Sequence, residues 1–265
     1  MLKELKPSDL MRMFSIPEGR APEALILWGT RNLKSRYAAM MPLFDNVLQV
    51  GSPNGVIEDV LIGDVAGTTI AYASVYGAPM ASEITHIFGV LGTRRVIQIG
   101  TCGGLADDLM AGDLFVADSA YCGEGAAQYY KTDGKEVYGT LRFDGRSGGG
   151  TAVGVKKGRI YTTSALFAEG QDDIERWAAE GFSAVDMETA TTFAVAEHFG
   201  MERGSILVCF DNPRRKEHIL IADDEKTERR KVAQRRMVEI ALAAGRCHTM
   251  KCSEQADPGD ALERA

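Results

Sequence analysis

The sequence predicts a single α/β domain, a twisted mixed β-sheet flanked by helices. Three observations predict it. Short apolar runs of strand length alternate with helical stretches, the order that builds layered α/β folds. The helical stretches stop at Gly92, Gly181, Gly200 and Gly245, and glycine ends helices by entering a left-handed turn. The apolar run Val96-Ile-Gln-Ile-Gly100 is followed at once by Thr101 and by Gly103-Gly104. Side chains that small let a ligand touch the backbone at a strand end, where open α/β sheets build their sites.

The elements follow in order. Residues 1–23 are polar and contain prolines, and read as a surface arm. Residues 24–28 form a buried-type strand that ends at Gly29-Thr30, and Asn32 is placed to cap a helix running to about Met41. Residues 56–66 and 69–75 read as two strands joined by a turn at Ala66-Gly67. Gly77-Ala78-Pro79 breaks the chain, and a helix is expected over 82–91. Strands are expected over 95–99, 114–117, 158–163, 184–185 and 205–210. Helices are expected over 172–179, 187–199 and 224–244. The stretch 123–150, rich in Gly and Tyr, reads as loops with one short strand, loosest at 147–150. The domain proper spans 24–245, and 246–265 form a polar tail expected to fray. No internal repeat is present.

Composition bounds the function. The chain has 265 residues, 45% hydrophobic and 25% charged, which suits a globular protein with a sizeable core. A net charge of −7 offers no global cationic field for a phosphate backbone, so nucleic acid is not an expected partner. Basic clusters such as Arg229-Arg230-Lys231 alternate with acids and read as solvated helix faces. Five cysteines without a CxxC pair give neither a disulfide framework nor a zinc signature. The start of the chain lacks an apolar signal core, and no run approaches the ~18 residues needed to cross a bilayer. The expectation is a cytoplasmic protein with no membrane partner.

Three blocks stand out along this frame. The first is Ile99-Gly-Thr-Cys-Gly-Gly104, followed by Gly112-Asp113-Leu-Phe-Val116. The second is Asp186-Met-Glu-Thr-Ala190, which opens a helix with two carboxylates. The third is Cys209-Phe-Asp211, a strand end that delivers an acid. In this order and at these separations the chain resembles the nucleoside phosphorylase superfamily of purine nucleoside phosphorylases, uridine phosphorylases and related nucleosidases. The resemblance covers about residues 24–245. It implies a nucleoside phosphorylase-like fold and a homo-oligomer built of dimers, possibly a hexamer. It also implies cleavage of a nucleoside's N-glycosidic bond with phosphate as co-substrate, and no metal or organic cofactor.

That cleavage creates an oxocarbenium-like sugar and an anionic leaving base, so a site must hold sugar hydroxyls and protonate the base. On the resemblance, Glu188 would accept bonds from adjacent ribose hydroxyls and Met187 would pack under the sugar. Asp211 is the expected catalytic acid at the base, and Phe167 the ring that stacks on it. Gln171 sits where uridine phosphorylases place an amide that reads uracil, but Asp173 stands where they carry an arginine. Asp211 inclines the reading toward a purine. Tyr129, in the loop Glu124-Gly125 to Tyr130, stands where a histidine often faces the sugar 5′-hydroxyl. A carboxylate at Asp186 is also an ordinary dipole-compensating residue near a helix start, and Asp211 could equally cap the turn at Asn212-Pro213.

The acceptor pocket departs from the phosphorylase pattern. Gly29 and Thr101 are present. Lys34 replaces the first phosphate arginine, with Arg31 and Arg36 close by, and the neutral Gln98 replaces the second. Lysine offers a point charge where arginine gives planar two-point recognition. Water as nucleophile, making the protein a nucleosidase, is therefore one rival. A non-catalytic nucleoside-binding protein is another.

Overall fold

Strand β1 (Ala24–Gly29) is buried along its whole length, because both faces of the sheet are covered. Leu25 and Leu27 point into one apolar cluster, with Ile84, Phe88 and Ala196. Ala24, Ile26 and Trp28 point into another, with Tyr37, Met40, Met237 and Ile240. Alternation along a strand thus feeds two cores, and the sequence reads as a continuous apolar run rather than an alternating one. The computed structural model describes residues 2–53, 55–143, 155–215 and 224–246. The expected loose turn at 147–150 and the tail beyond 246 lie outside them.

The remaining strands are β2 (Asp45–Val50), β3 (Val60–Val65), β4 (Thr68–Val75), β5 (Arg95–Gly104), β6 (Leu114–Cys122), β7 (Glu136–Tyr138), β8 (Val155–Thr162), β9 (Phe182–Asp186) and β10 (Glu202–Asp211). The helices are α1 (Pro7–Met13), α2 (Leu33–Met40), α3 (Gly77–Val90), α4 (Gln171–Ala179), α5 (Thr189–His198) and α6 (Asp224–Arg246). The expected mixed sheet flanked by helices is the fold observed.

Its connectivity adds a feature that local patterns do not carry. β5 is the hub. Its first half pairs in parallel with β1, its last two residues pair antiparallel with β9, and its other edge pairs in parallel with β10. β10 continues to β6, β6 to β8 and β8 to β9. Five strands therefore close a ring, while β1, β4, β3 and β2 extend from β5 as an open wing.

Several boundaries differ from expectation for identifiable reasons. α3 starts at Gly77, not at residue 82. Pro79 falls in the helix's first turn, where a missing N–H costs no intrahelical bond. Gly77 itself adopts φ 78°, open to glycine at no steric cost. The arm is not wholly polar in its packing, because Leu10, Phe14 and Ile16 join the core on the α3 side. β2 was not expected, since most of it is exposed or half-buried and shows no apolar period. The β3–β4 connection is the expected two-residue turn, with Ala66 at φ 49° and Gly67 at 83°, the pair of positive angles that matches strand twist.

Candidate active site at the strand ends

Several of the expected residues lie at or just after strand ends: Gly29 closes β1, Asp211 closes β10, and Met187 and Glu188 follow β9. β9 finishes at Asp186, and that carboxylate is fully employed in holding the chain. One oxygen accepts the Thr162 hydroxyl of β8 at 2.7 Å. The other accepts the Thr189 N–H at 2.8 Å and its hydroxyl at 2.5 Å. The Thr162 hydroxyl in turn accepts the Ala190 N–H at 2.9 Å. Asp186 therefore fixes the start of α5 to the neighbouring strand, which matches its reading as a helix-start residue.

This anchoring aims Glu188, the N-cap of α5, at the ends of β1 and β4. Glu188 is 6% exposed. Its Oε1 accepts the backbone N–H of Gly77, the first residue of α3, at 2.8 Å. Its Oε2 lies against Gly29, so close that a Cβ built there would meet it at 2.6 Å. The Gln98 amide nitrogen borders the same point at 3.1 Å. Burial, and then the neighbouring Asp186 charge, push the Glu188 carboxyl up to about 8, against the opposing pull of the Gly77 N–H. A bond to the start of α3 is also favoured by the helix dipole.

Gln98 is fully buried. Its amide donates to the Ile99 carbonyl at 3.0 Å and its oxygen accepts the Thr192 hydroxyl at 2.9 Å. Gly100 brings β5 so close to β1 that a Cβ there would sit 2.7 Å from the Gly29 carbonyl. Thr101 is exposed at the strand end, and Lys34 is exposed on α2. Lys34 acts electrostatically on the half-buried Asp59.

On the far side of β5, Gly103 pairs with Val185 of β9 at one edge and with Asp211 of β10 at the other. Glu188 and Asp211 thus leave strands that flank the same segment of β5. Asp211 is half-buried, and its Oδ1 lies 3.7 Å from where a Gly103 Cβ would be. The following turn is held by Asn212, whose amide donates to the carbonyls of Ala106 and Leu109 at 2.8 and 2.9 Å.

Other expected residues are less enclosed. Met187 is half-buried. Phe167 is 89% exposed, with the Arg31 guanidinium 5.5 Å from its ring centre. Gln171 donates to Glu175 at 2.9 Å along the exposed face of α4, and Asp173 accepts the Gly170 N–H and pairs with Arg176. Tyr129 is 80% exposed. Its loop is shaped by Glu124, which accepts the Ala126 and Ala127 N–H groups. A cavity of about 410 Å³ opens beside the start of α3, lined by Ala78, Ser82, Glu83, Tyr129, Tyr130 and Ser164 among others. Of the expected site residues, Tyr129 lines it. His86, behind Tyr130, shares a 3.1 Å hydrogen bond with its hydroxyl and packs edge-on against Phe199.

Glu169 was not expected at the site, and Arg31 was expected only as a cation close to Lys34. Glu169 is pushed up to about 7 by burial and then by the charges of Asp211 and Asp173, and its Oε1 is shielded from solvent without a hydrogen-bond partner. Arg31 lies over Tyr76 as well as Phe167, 5.1 Å from the former ring's centre. Glu169 belongs to no recognisable motif, and only the fold brings it beside Asp211. Among the described residues, no group of three or more His, Cys, Asp or Glu side chains is arranged to hold a metal ion. No described helix is long and apolar enough to cross a membrane.

A mixed sheet flanked by helices, with buried acids at the ends of its strands, defines an α/β protein. The chain belongs to the phosphorylase superfamily, whose family model matches residues 37–244. Curated relatives include the purine nucleoside phosphorylase DeoD-type of Geobacillus sp. (strain WCH70), 34% identical over 88 residues, which are 33% of this chain and 34% of that protein. The corresponding protein of Geobacillus kaustophilus (strain HTA426) is 33% identical over 92 residues, 35% of this chain and 36% of its own. The chain thus spans about a third of the length of these relatives. Among solved structures, uridine phosphorylase from Vibrio fischeri ES114, complexed with 6-hydroxy-1-naphthoic acid, superposes with a TM-score of 0.68 at 20% identity, covering 87% of this chain and 93% of the other. At that identity the likeness is one of fold.

Proposed function

We propose that this protein cleaves the N-glycosidic bond of a purine nucleoside and transfers the pentosyl group to phosphate. The observation that carries the reading is Glu188, a buried carboxylate wedged between the Gly77 N–H and Gly29 at the strand ends. A carboxylate so placed can grip adjacent sugar hydroxyls, and those bonds strengthen as the sugar gains positive charge. Asp211, beyond β5, would donate the proton that the departing base needs, and Phe167 would stack on that base. Met187 would lie under the sugar and Tyr129 at its 5′ end. Gly29, Thr101, Lys34 and Gln98 would line the acceptor pocket.

The purine assignment draws support from Asp211 and from the names of the curated relatives. Gln171 and Asp173 are engaged along α4, which fits poorly with an amide and a cation reading uracil. Base release from inosine, adenosine and uridine, each with and without inorganic phosphate, tests the proposal. Phosphate-dependent release from a purine nucleoside is the expected result. Equal rates in phosphate-free buffer would reject phosphorolysis.

Hydrolysis by water is the second reading, and one observation favours it. The Gln98 oxygen accepts from Thr192 and one of its two amide N–H groups is bonded to Ile99, so Gln98 brings no positive charge to an anion.

A further inference from the structure

We infer that Arg31 is a positioning residue for the base: its guanidinium bridges Tyr76 and Phe167 and sets the Phe167 ring in place before a nucleoside binds. The inference rests on the reading above in which Phe167 stacks on the base. The three residues come from three connections, after β1, β4 and β8. β1 and β4 are parallel neighbours, and the Thr30 N–H donates to the Val75 carbonyl at 2.8 Å, so Arg31 and Tyr76 start side by side. Phe167 starts further off, on the short turn Leu166–Ala168 that follows β8. In the sheet, β9 and β5 lie between β8 and β1. The contact between Arg31 and Phe167 therefore spans the segment where β5 pairs with β9, the strand that Glu188 follows.

Phe167 has little else to fix it. It is 89% exposed, and its neighbours Ala165 and Ala168 are exposed as well. A ring so free loses rotamer freedom when a base stacks on it, and a contact made beforehand lowers that cost. Arg31 supplies the contact. Its guanidinium lies 5.5 Å from the Phe167 ring centre and 5.1 Å from that of Tyr76, and it makes no ion pair among the described residues. Tyr76 is joined directly to Gly77, whose N–H binds Glu188 at 2.8 Å. The bridge thus refers the Phe167 ring to the same stretch of backbone that places the sugar-gripping acid. A ring also has two faces. A cation over one draws π charge toward itself and leaves the other less negative toward an electron-rich purine.

The test is inosine binding by calorimetry, with steady-state cleavage of inosine beside it, in the full chain. The variants are Arg31→Ala, Arg31→Met, Arg31→Lys, Phe167→Ala and the double variant Arg31→Ala/Phe167→Ala. Loss of exposed cation–π contacts should raise the inosine Kd and KM about three- to tenfold in Arg31→Ala. Arg31→Met, which keeps the length without the charge, should behave alike, and Arg31→Lys should recover part of the loss. The kcat and the phosphate KM should stay within about twofold, since the loss is in ground-state binding of the nucleoside. In the Phe167→Ala background Arg31→Ala should add nothing, because it acts through that ring. An unchanged inosine Kd in Arg31→Ala, or losses that simply add in the double variant, overturns the inference and leaves stacking by Phe167 standing. An unchanged Kd in Phe167→Ala overturns that stacking and the inference with it. Binding without turnover by the wild type overturns the cleavage reading alone, and the Kd series then decides for Arg31.

Discussion

Glu188 and Gly77 lie 111 positions apart in sequence, yet the carboxylate of one accepts the backbone N–H of the other at 2.8 Å. The bond ties the start of α5 to the start of α3, and it does so at the ends of β1, β4 and β9. Removing the charge while keeping the shape isolates what that carboxylate does. Read above pH 8, where the carboxyl is ionised, Glu188→Gln should lower kcat/KM for nucleoside cleavage on the order of 10²–10⁴-fold, since two charge-assisted bonds to a sugar are weakened. Its circular dichroism should match the wild type. Wild-type turnover by the variant would remove Glu188 from the mechanism.

Stability should depend on pH with a definite sign. The Glu188 carboxyl is raised from 4.5 to about 8 by burial and by Asp186, and Asp186 is itself raised by burial. Between the unfolded and folded values the native state binds more protons than the unfolded chain. Stability from Glu188 is therefore full below about pH 4.5 and declines as pH rises toward 8. Thermal melts from pH 5 to 8.5 should show a falling Tm, with a shallower slope in Glu188→Gln. Parallel slopes would contradict the assignment.

Gly29 should tolerate no side chain. A Cβ there would meet Glu188 Oε2 at 2.6 Å and the Gln98 amide at 3.1 Å. The carboxylate would have to leave its place or β1 would have to shift. Gly29→Ala should cost about 1–3 kcal/mol of stability, as overpacked sites do, and should raise the nucleoside KM. Gly67→Ala, whose added Cβ meets nothing within 4 Å, gives a useful comparison: any loss there reflects its φ of 83° alone.

Asp211 and Glu169 should act together at the base. Asp211→Asn should slow base release on the order of 10²–10⁴-fold, the range of a general acid, and least for bases that leave readily without a proton. Burial and the neighbouring Asp211 and Asp173 push the Glu169 carboxyl up to about 7, so Glu169 gains its charge beside Asp211 as pH rises past that value. The kcat/KM profile should bend near pH 7, and Glu169→Gln should flatten that bend. An identical profile in the variant would confine Glu169 to a packing role.

Much of this arrangement was legible in the chain. The run ending at Gly100 marks a strand end because small residues follow it, and the strand is there. Asp186 and Glu188 announce a helix start. What the sequence leaves ambiguous is their division of labour, since two carboxylates so close look alike until Thr162 and Thr189 are seen to occupy Asp186. The closing of β5, β9, β8, β6 and β10 into a ring depends on long-range register, which local periodicity does not encode. Glu169 carries no motif. Its neighbour Asp211 lies far off in sequence, so only the folded chain reveals it.

The ring has a consequence for how copies of this chain can meet. A strand pairing with two neighbours has no unsatisfied backbone to offer a second molecule, and the hub and its partners are all so engaged. Among the described residues the long open rim of the sheet falls to β2, where Asp45 and the irregular pairing between Asp45 and Leu48 interrupt the ladder, and Asn46 turns through φ 49°. Charge and a kink make that rim a poor template for sheet extension. Self-association by strand addition along that rim is thereby discouraged.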